Sequence, residues 1–327
     1  MKNIKILTLL FTVFFIYSCV TDNKTYKDSS SGKTCELMVV GNPEVWRNIS
    51  TQVREIIARP IVGLPQREAT FDVVFLPENS FNEMFKKHRN ILMLNVDPKL
   101  QKPSVEYNED VFSAPQFLIK INANSNSSIV NVIEANQDFL IEKYHTSEIR
   151  RVISAYKGLE NVQIKEVIKK EFNVDMVFPS NYYLAKKTDN FVWYRSETKE
   201  ISQNVFIHYT NYTDTNMFSQ KKILALRDTL TKKHIPGTFE GTYMKSASEI
   251  ITPQSKKIEL DKKYCIETRG IWDVYKDFMG GAYINYTFVD PKNNRFYMID
   301  GFVYAPKYEK RDYLLQIEAI IKSVKTL

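Results

Sequence analysis

Glycine is scarce in this chain, ten among 327 residues, and histidine and cysteine are scarcer still at four and three. These shortages remove whole classes of chemistry from consideration. No Gly-rich phosphate loop and no G-x-S-x-G nucleophile elbow occurs. The histidines, His88, His145, His208 and His234, lie far apart in sequence and read as surface or capping residues. Neither H-E-x-x-H nor paired C-x-x-C spacing is present, so no metal and no cofactor is expected. Three cysteines cannot make a disulfide framework. No apolar run reaches the roughly 20 residues that a membrane-spanning helix needs. What is there is 43% apolar and 25% charged, the profile of a globular protein with a sizeable core. At roughly 150 residues per domain, the length suggests two domains or one large one.

The formal charge is +7, of which Lys2 and Lys5 supply two. Basic residues come as scattered pairs, Lys86-Lys87, Lys232-Lys233, Lys256-Lys257 and Lys262-Lys263, with acidic residues between them. A phosphate-tracking surface needs its cations gathered on one face, so a nucleic-acid partner is not expected.

Residues 1–5 give a short basic start and residues 6–17 an apolar run of about a dozen, the pattern of a signal segment. Ile16-Tyr17-Ser18-Cys19 resembles the bacterial lipobox. That resemblance implies a signal peptide over 1–18, a diacylglycerol thioether on Cys19, cleavage after Ser18 and acylation of the new amino terminus. Several acyl chains make a stable membrane anchor, since each buried methylene contributes about 0.8 kcal/mol. Residues 19–33 are polar and read as a flexible tether.

Beyond it, residues 35–40 read as a buried strand and Asn42-Pro43 as a helix entry, with Val45, Trp46, Ile49, Val53, Ile56 and Ile57 on one face. Strands at 71–76, 91–96 and 117–121, a short helix at 80–87 and a long helical stretch from 127 to 157, restarting near Thr146 or Ser147, predict a mixed sheet with helices over 34–158. A boundary is placed near Gly158. From 159 to 327, strands at 182–186, 191–196, 205–212, 264–272, 282–289 and 295–304 alternate with three helices, the last starting at Pro306. Asp290-Pro291-Lys292-Asn293-Asn294 reads as a hairpin loop. The prediction is α+β, with a mixed sheet first and a largely antiparallel sheet, helices on one face, second.

Three patterns could carry chemistry. Ser219 and Lys222 match S-x-x-K, without its companion elements. Asp273 and Asp277 beside Trp272 could act as acid and base on a glycosidic bond if buried in a cleft. The second sheet has a face of Tyr283, Asn285, Thr287 and His208, suited to glycan or peptide, or else covered by a helix.

From Cys35 onward the chain resembles a family of Bacteroidota lipoproteins known only as a domain of unknown function. The residues carrying this are Gly41-Asn42-Pro43 with Trp46, residues 63–68 (GLPQRE), Arg269-Gly270-Ile271-Trp272, Met279-Gly280-Gly281 and residues 301–306 (GFVYAP). Ala69-Thr70 departs from the family pattern, which has a proline near there. The resemblance implies an address and no activity.

The reading is therefore an outer-membrane lipoprotein, on the periplasmic side because residues 19–24 lack an acidic run, that works as a non-catalytic binding module for a glycan, peptide or envelope partner. The expected site residues are Trp46, Arg269, Trp272, Gly280 and Gly281: a planar cation, stacking platforms and close backbone approach. A hydrolase of cell-wall or dietary polymer and a structural subunit of an envelope assembly are the alternatives. Cys35 and Cys265, both at strand starts in an exported chain, are candidates for a disulfide.

Overall fold

The computed structural model describes residues 27–327; the signal segment and Cys19 lie outside the described residues. In the N-terminal half, β1 (Glu36–Gly41) is apolar on both sides and takes an interior place in a sheet, with β2 (Asp72–Pro77) and β3 (Asn90–Val96) parallel on either flank. The order is β2-β1-β3-β5-β4, where β5 (Phe117–Ala123) is parallel to β3 and β4 (Ser104–Glu109) is antiparallel. Asn42 caps α1 (Pro43–Ile57), accepting from the Glu44 amide at 2.8 Å, and the helix buries Trp46, Ile49, Val53 and Ile57.

Several expectations shift here. The helix expected at 80–87 is a 3-10 turn, Glu78–Ser80, followed by the single-turn α2 (Glu83–Lys86). The long helical stretch breaks at Asn136, between α3 (Asn126–Ala135) and α4 (Gln137–Lys157), and runs unbroken through Thr146 and Ser147. Asn136 turns its Nδ2 back onto the Val132 carbonyl at 2.8 Å, which ends α3. Ser147 is buried, and the burial of Tyr144 and Ile149 on either side outweighs its weak preference for a cap. Residues 28–33, expected to be loose, are pinned by backbone bonds: Ser31 N–H to Lys87 O (2.8 Å), Arg89 N–H to Ser31 O (2.9 Å) and Ala114 N–H to Asp28 O (2.8 Å). Such pairing needs no apolar side chain, so composition does not reveal it.

After α5 (Val162–Phe172) and β6 (Val174–Asp175) comes a curled antiparallel sheet. Its strands are β7 (Tyr183–Thr188), β8 (Phe191–Glu197), β9 (Ser202–Asn211), then, after α6 (Gln220–His234), β10 (Met244–Ser246), β11 (Gln254–Leu260), β12 (Lys263–Val274), β13 (Gly280–Asp290) and β14 (Arg295–Tyr304). They run β10-β12-β13-β14-β9-β8-β7, with β11 also on β12. The last helix is α7 (Arg311–Lys322), five residues later than Pro306, and β15 (Lys325–Thr326) returns to pair with β6.

The class is α+β, as the periodicity predicts, but the helices cover both faces of this sheet. Alternate residues separate cleanly: Val192, Tyr194, Ile284 and Tyr286 join α5 and α7 in one core, while Trp193, Phe206, Tyr283 and Phe302 join α6 in another. Helix α6 presents few apolar side chains and seats the fully buried Arg227 on Asp300 at 2.8 Å, with its guanidinium 3.7 Å from the Tyr283 ring centre. A buried charge in place of an apolar stripe is why the pattern does not show which face α6 takes.

The halves are joined by conspicuous sequence elements. Helix α7 serves both cores, with Leu315 and Ala319 in the first and Leu314, Ile317, Ile320 and Ile321 in the second. Gly63, at φ +81°, lies so close to β12 that a Cβ would sit 2.8 Å from the Gly270 nitrogen, and Leu64 inserts into the second core. Glu68 accepts from the amides of Lys310 (2.8 Å) and Arg311 (2.7 Å), filling the orphan donors of α7 and opposing its dipole.

Cys35 and Cys265 are free thiols in different cores, so the disulfide is not formed. Burial pushes both thiols up, and each behaves as a small apolar residue.

Candidate binding cleft

At one end of the α6 face the sheet opens into a cleft of ≈ 320 Å³. Its floor is aromatic: Trp193 of β8, Trp272 of β12, and Phe302 and Tyr304 of β14. The register explains this, because alternate residues of three strands converge at the end of α6, where Trp193, Trp272 and Phe302 stay largely buried against the core and Tyr304 is the half-buried ring at the opening. Trp272 meets Phe302 edge-on with ring centres 5.7 Å apart, and Trp193 lies 6.3 Å from the same ring. Both indole N–H groups are consumed internally, Trp193 by Asn204 Oδ1 (3.0 Å) and Trp272 by the Val303 carbonyl (3.3 Å). The walls are residues 198–201 on one side and 235–238 with Met279 on the other. Arg195 lies 5.5 Å above the Trp193 ring, pairs with Glu197, and has a buried Nε with no acceptor among the described residues. At the rim Glu200 bonds Lys307 (2.6 Å) and Tyr308 (2.5 Å), which hold its carboxyl below the usual range.

The five expected site residues do not converge. Trp272 forms part of the cleft, and Gly281 serves it, since a Cβ there would sit 2.0 Å from the Val303 oxygen and 3.0 Å from the indole nitrogen. Gly280 fits beneath the Trp272 carbonyl, where a Cβ would approach to 2.9 Å. Trp46 belongs to the N-terminal core, stacked on Phe75 at 5.1 Å with Arg54 at 5.4 Å from its ring. Arg269 points to the opposite face of the sheet. There it binds Glu267 (2.7 Å) and Glu318 (2.8 Å), so its charge serves the interior and not a ligand.

The other chemical patterns resolve into structure. Ser219 precedes α6 and donates to the Asn216 carbonyl at 2.7 Å, leaving no nucleophile aimed at Lys222. Asp277 accepts from the Phe278 amide in the β12–β13 turn, and burial raises the Asp273 carboxyl. Tyr283, Asn285, Thr287 and His208 lie buried on the face that α6 packs against. Sequence reasoning missed Trp193, Phe302, Tyr304 and Asn204; the signal was Trp193 in a strand whose two faces are both apolar.

Three of the four histidines are buried, contrary to expectation. Burial pushes the His208 imidazole down to about 4, with His234 and Lys233 adding to it, against donation from its Nδ1 to the Asn190 carbonyl at 2.9 Å. An unfolded histidine titrates near 6.5. Between pH 6.5 and about 4 the unfolded chain therefore binds a proton that the native chain refuses, and stability falls as pH falls through that window. Urea unfolding across the window should lose on the order of 2–3 kcal/mol from this group. His208→Gln should flatten the slope; an unchanged slope would assign the loss to other groups.

The fold and cleft together define an α+β protein of two joined halves, the second a helix-covered antiparallel sheet open at one end. Residues 161–323 match the family model of DUF4837, a domain of unknown function, and residues 30–157 match that of DUF8532, also a domain of unknown function. No curated protein matches the chain in sequence. Among solved structures, 47% of the chain is similar to 87% of the PsbP protein of Synechocystis sp. PCC 6803, at 6% identity and a TM-score of 0.31. The same share is similar to 90% of the Saccharomyces cerevisiae Ran-binding protein Mog1p, at 7% identity and a TM-score of 0.32. A Bacteroides thetaiotaomicron structure matches over 45% of its chain at 9% identity and a TM-score of 0.28.

Proposed function

We propose that this is a lipid-anchored outer-membrane protein, on the periplasmic side, that binds an apolar peptide segment of an envelope partner in the aromatic cleft. The observation that carries the reading is the cleft itself. Its ≈ 320 Å³ falls in the range of small-ligand sites, its lining includes Tyr304 over the largely buried rings of Trp193, Trp272 and Phe302, and its rim is polar. A peptide fits better than a glycan because both indole N–H groups are already engaged and cannot serve sugar hydroxyls.

Peptides selected from a random display pool on the immobilised protein should carry an aromatic or branched apolar anchor. Tyr304→Ala should weaken them at least about tenfold, equivalent to 1.4 kcal/mol. Cell-wall glycan fragments that shift the tryptophan emission while selected peptides do not would overturn the peptide reading. The anchor has its own check. Cys19→Ala should abolish acyl labelling and release the protein from membranes, and undiminished labelling would end the idea.

A further inference from the structure

The end of the N-terminal half at which the chain emerges carries apolar side chains that neither core uses. Met84 is 72% exposed, Val111 39% and Phe112 37%. They form one patch with the emerging chain. Phe112 meets Phe81 edge-on at 6.1 Å, Lys86 Nζ lies 5.6 Å from the Phe112 ring, and Lys27 donates to the carbonyls of Asp110 and Val111. The carboxylates here already have partners: Asp28 with Lys87 (2.5 Å), Glu83 with Lys86 (2.7 Å) and Asp110 with the Gln116 amide (2.7 Å).

We propose that this end, through Met84, Val111 and Phe112, rests on the bilayer that holds the lipid of Cys19. The inference depends on the anchor assigned above and adds an orientation to it. Its second support is length. Because residues 28–31 are pinned to residues 87–89 and 114, the stretch from Cys19 to Lys27 can span at most about 28 Å. That limit is about the diameter of a small domain, so the emerging end is the part of the folded chain held nearest the headgroups. Apolar tips with lysine stems beside them suit that interface, where the rings bury and the ammonium groups remain wet.

The test uses the chain from Cys19 onward, coupled through that thiol to a maleimide phospholipid in phosphatidylcholine–phosphatidylglycerol vesicles. Coupling is selective because Cys35 and Cys265 are buried. Tryptophan is introduced singly by Met84→Trp, Phe112→Trp or, as a control on the C-terminal half, Phe278→Trp, and emission is compared in plain and brominated lipid. The expected result is loss of the added emission at 84 and 112 and its retention at 278. Equal emission in both lipids at 84 and 112, from protein that floats with the vesicles, would overturn the proposal, as would equal quenching at all three positions. Since the coupling imposes attachment, a missing acyl label on Cys19 in cells would sink the anchor and leave this result readable by itself.

Discussion

Arg269→Met is expected to cost about 3–5 kcal/mol of folding stability, the loss typical when one member of a buried ion pair is removed. The guanidinium bridges Glu267 and Glu318, both nearly inaccessible, and the Tyr286 hydroxyl donates to Glu267 (2.9 Å) while lying 3.0 Å from Glu318. Lys322 and His145 reach Glu318 from the margin, and Lys256 reaches Glu267. Those peripheral side chains are partly solvated and cannot replace the central guanidinium. Despite burial, Arg269 holds both carboxyls below the usual range. The folded-state values are depressed, so this stabilisation is present above the unfolded value near 4.3 and is lost as pH falls below it. Without Arg269, two carboxylates would face each other in the interior, and one must take up a proton at neutral pH. Urea unfolding at pH 7 measures the effect, and adding Glu318→Gln to the methionine variant should recover part of it. Were Arg269 a ligand-binding cation, its loss would change stability by less than about 0.5 kcal/mol, the range of surface substitutions, and that result would refute the structural role.

The same residue shows how far the sequence could be read. The strand containing Arg269 is legible from its β-branched and aromatic content, and so are the neighbouring strands and the hairpin at 290–294, because each is local. Its partner Glu318 is 49 positions away on a helix, and strand alternation does not say which helix covers which face. Trp272 and Trp193 meet the same ring only because β12, β13, β14, β9 and β8 lie side by side in that order. Order among antiparallel strands is a tertiary fact. Polar edge strands such as β4 and β11 bury almost nothing, so they leave no periodic signal. The GLPQRE segment, by contrast, stands out in the sequence, and its physical content emerges with the fold: Gly63 pressed on Gly270, Leu64 in the second core and Glu68 on α7.

Gly281→Ala tests whether the cleft floor depends on a missing side chain. Gly281 pairs with Trp272 across β12 and β13, and the space where its Cβ would stand is crossed by the indole on its way to the Val303 carbonyl. An added methyl would lie 2.0 Å from that backbone oxygen and 3.0–3.2 Å from the ring. A flexible side chain could yield; a carbonyl in the middle of a hydrogen-bonded sheet cannot without moving β14. Overpacking that forces backbone to shift costs about 1–3 kcal/mol, occasionally more, and this site is expected at the upper end. The indole should also be expelled toward solvent, so the variant should show a red-shifted tryptophan emission and lose the selected peptides while still folding at low temperature. Gly158→Ala is the matched control, since its Cβ would find only an ordinary 3.5 Å contact at the end of α4. A Gly281→Ala protein with unchanged emission and stability within about 0.5 kcal/mol of the parent would mean that Trp272 does not need this glycine to keep its place in the floor.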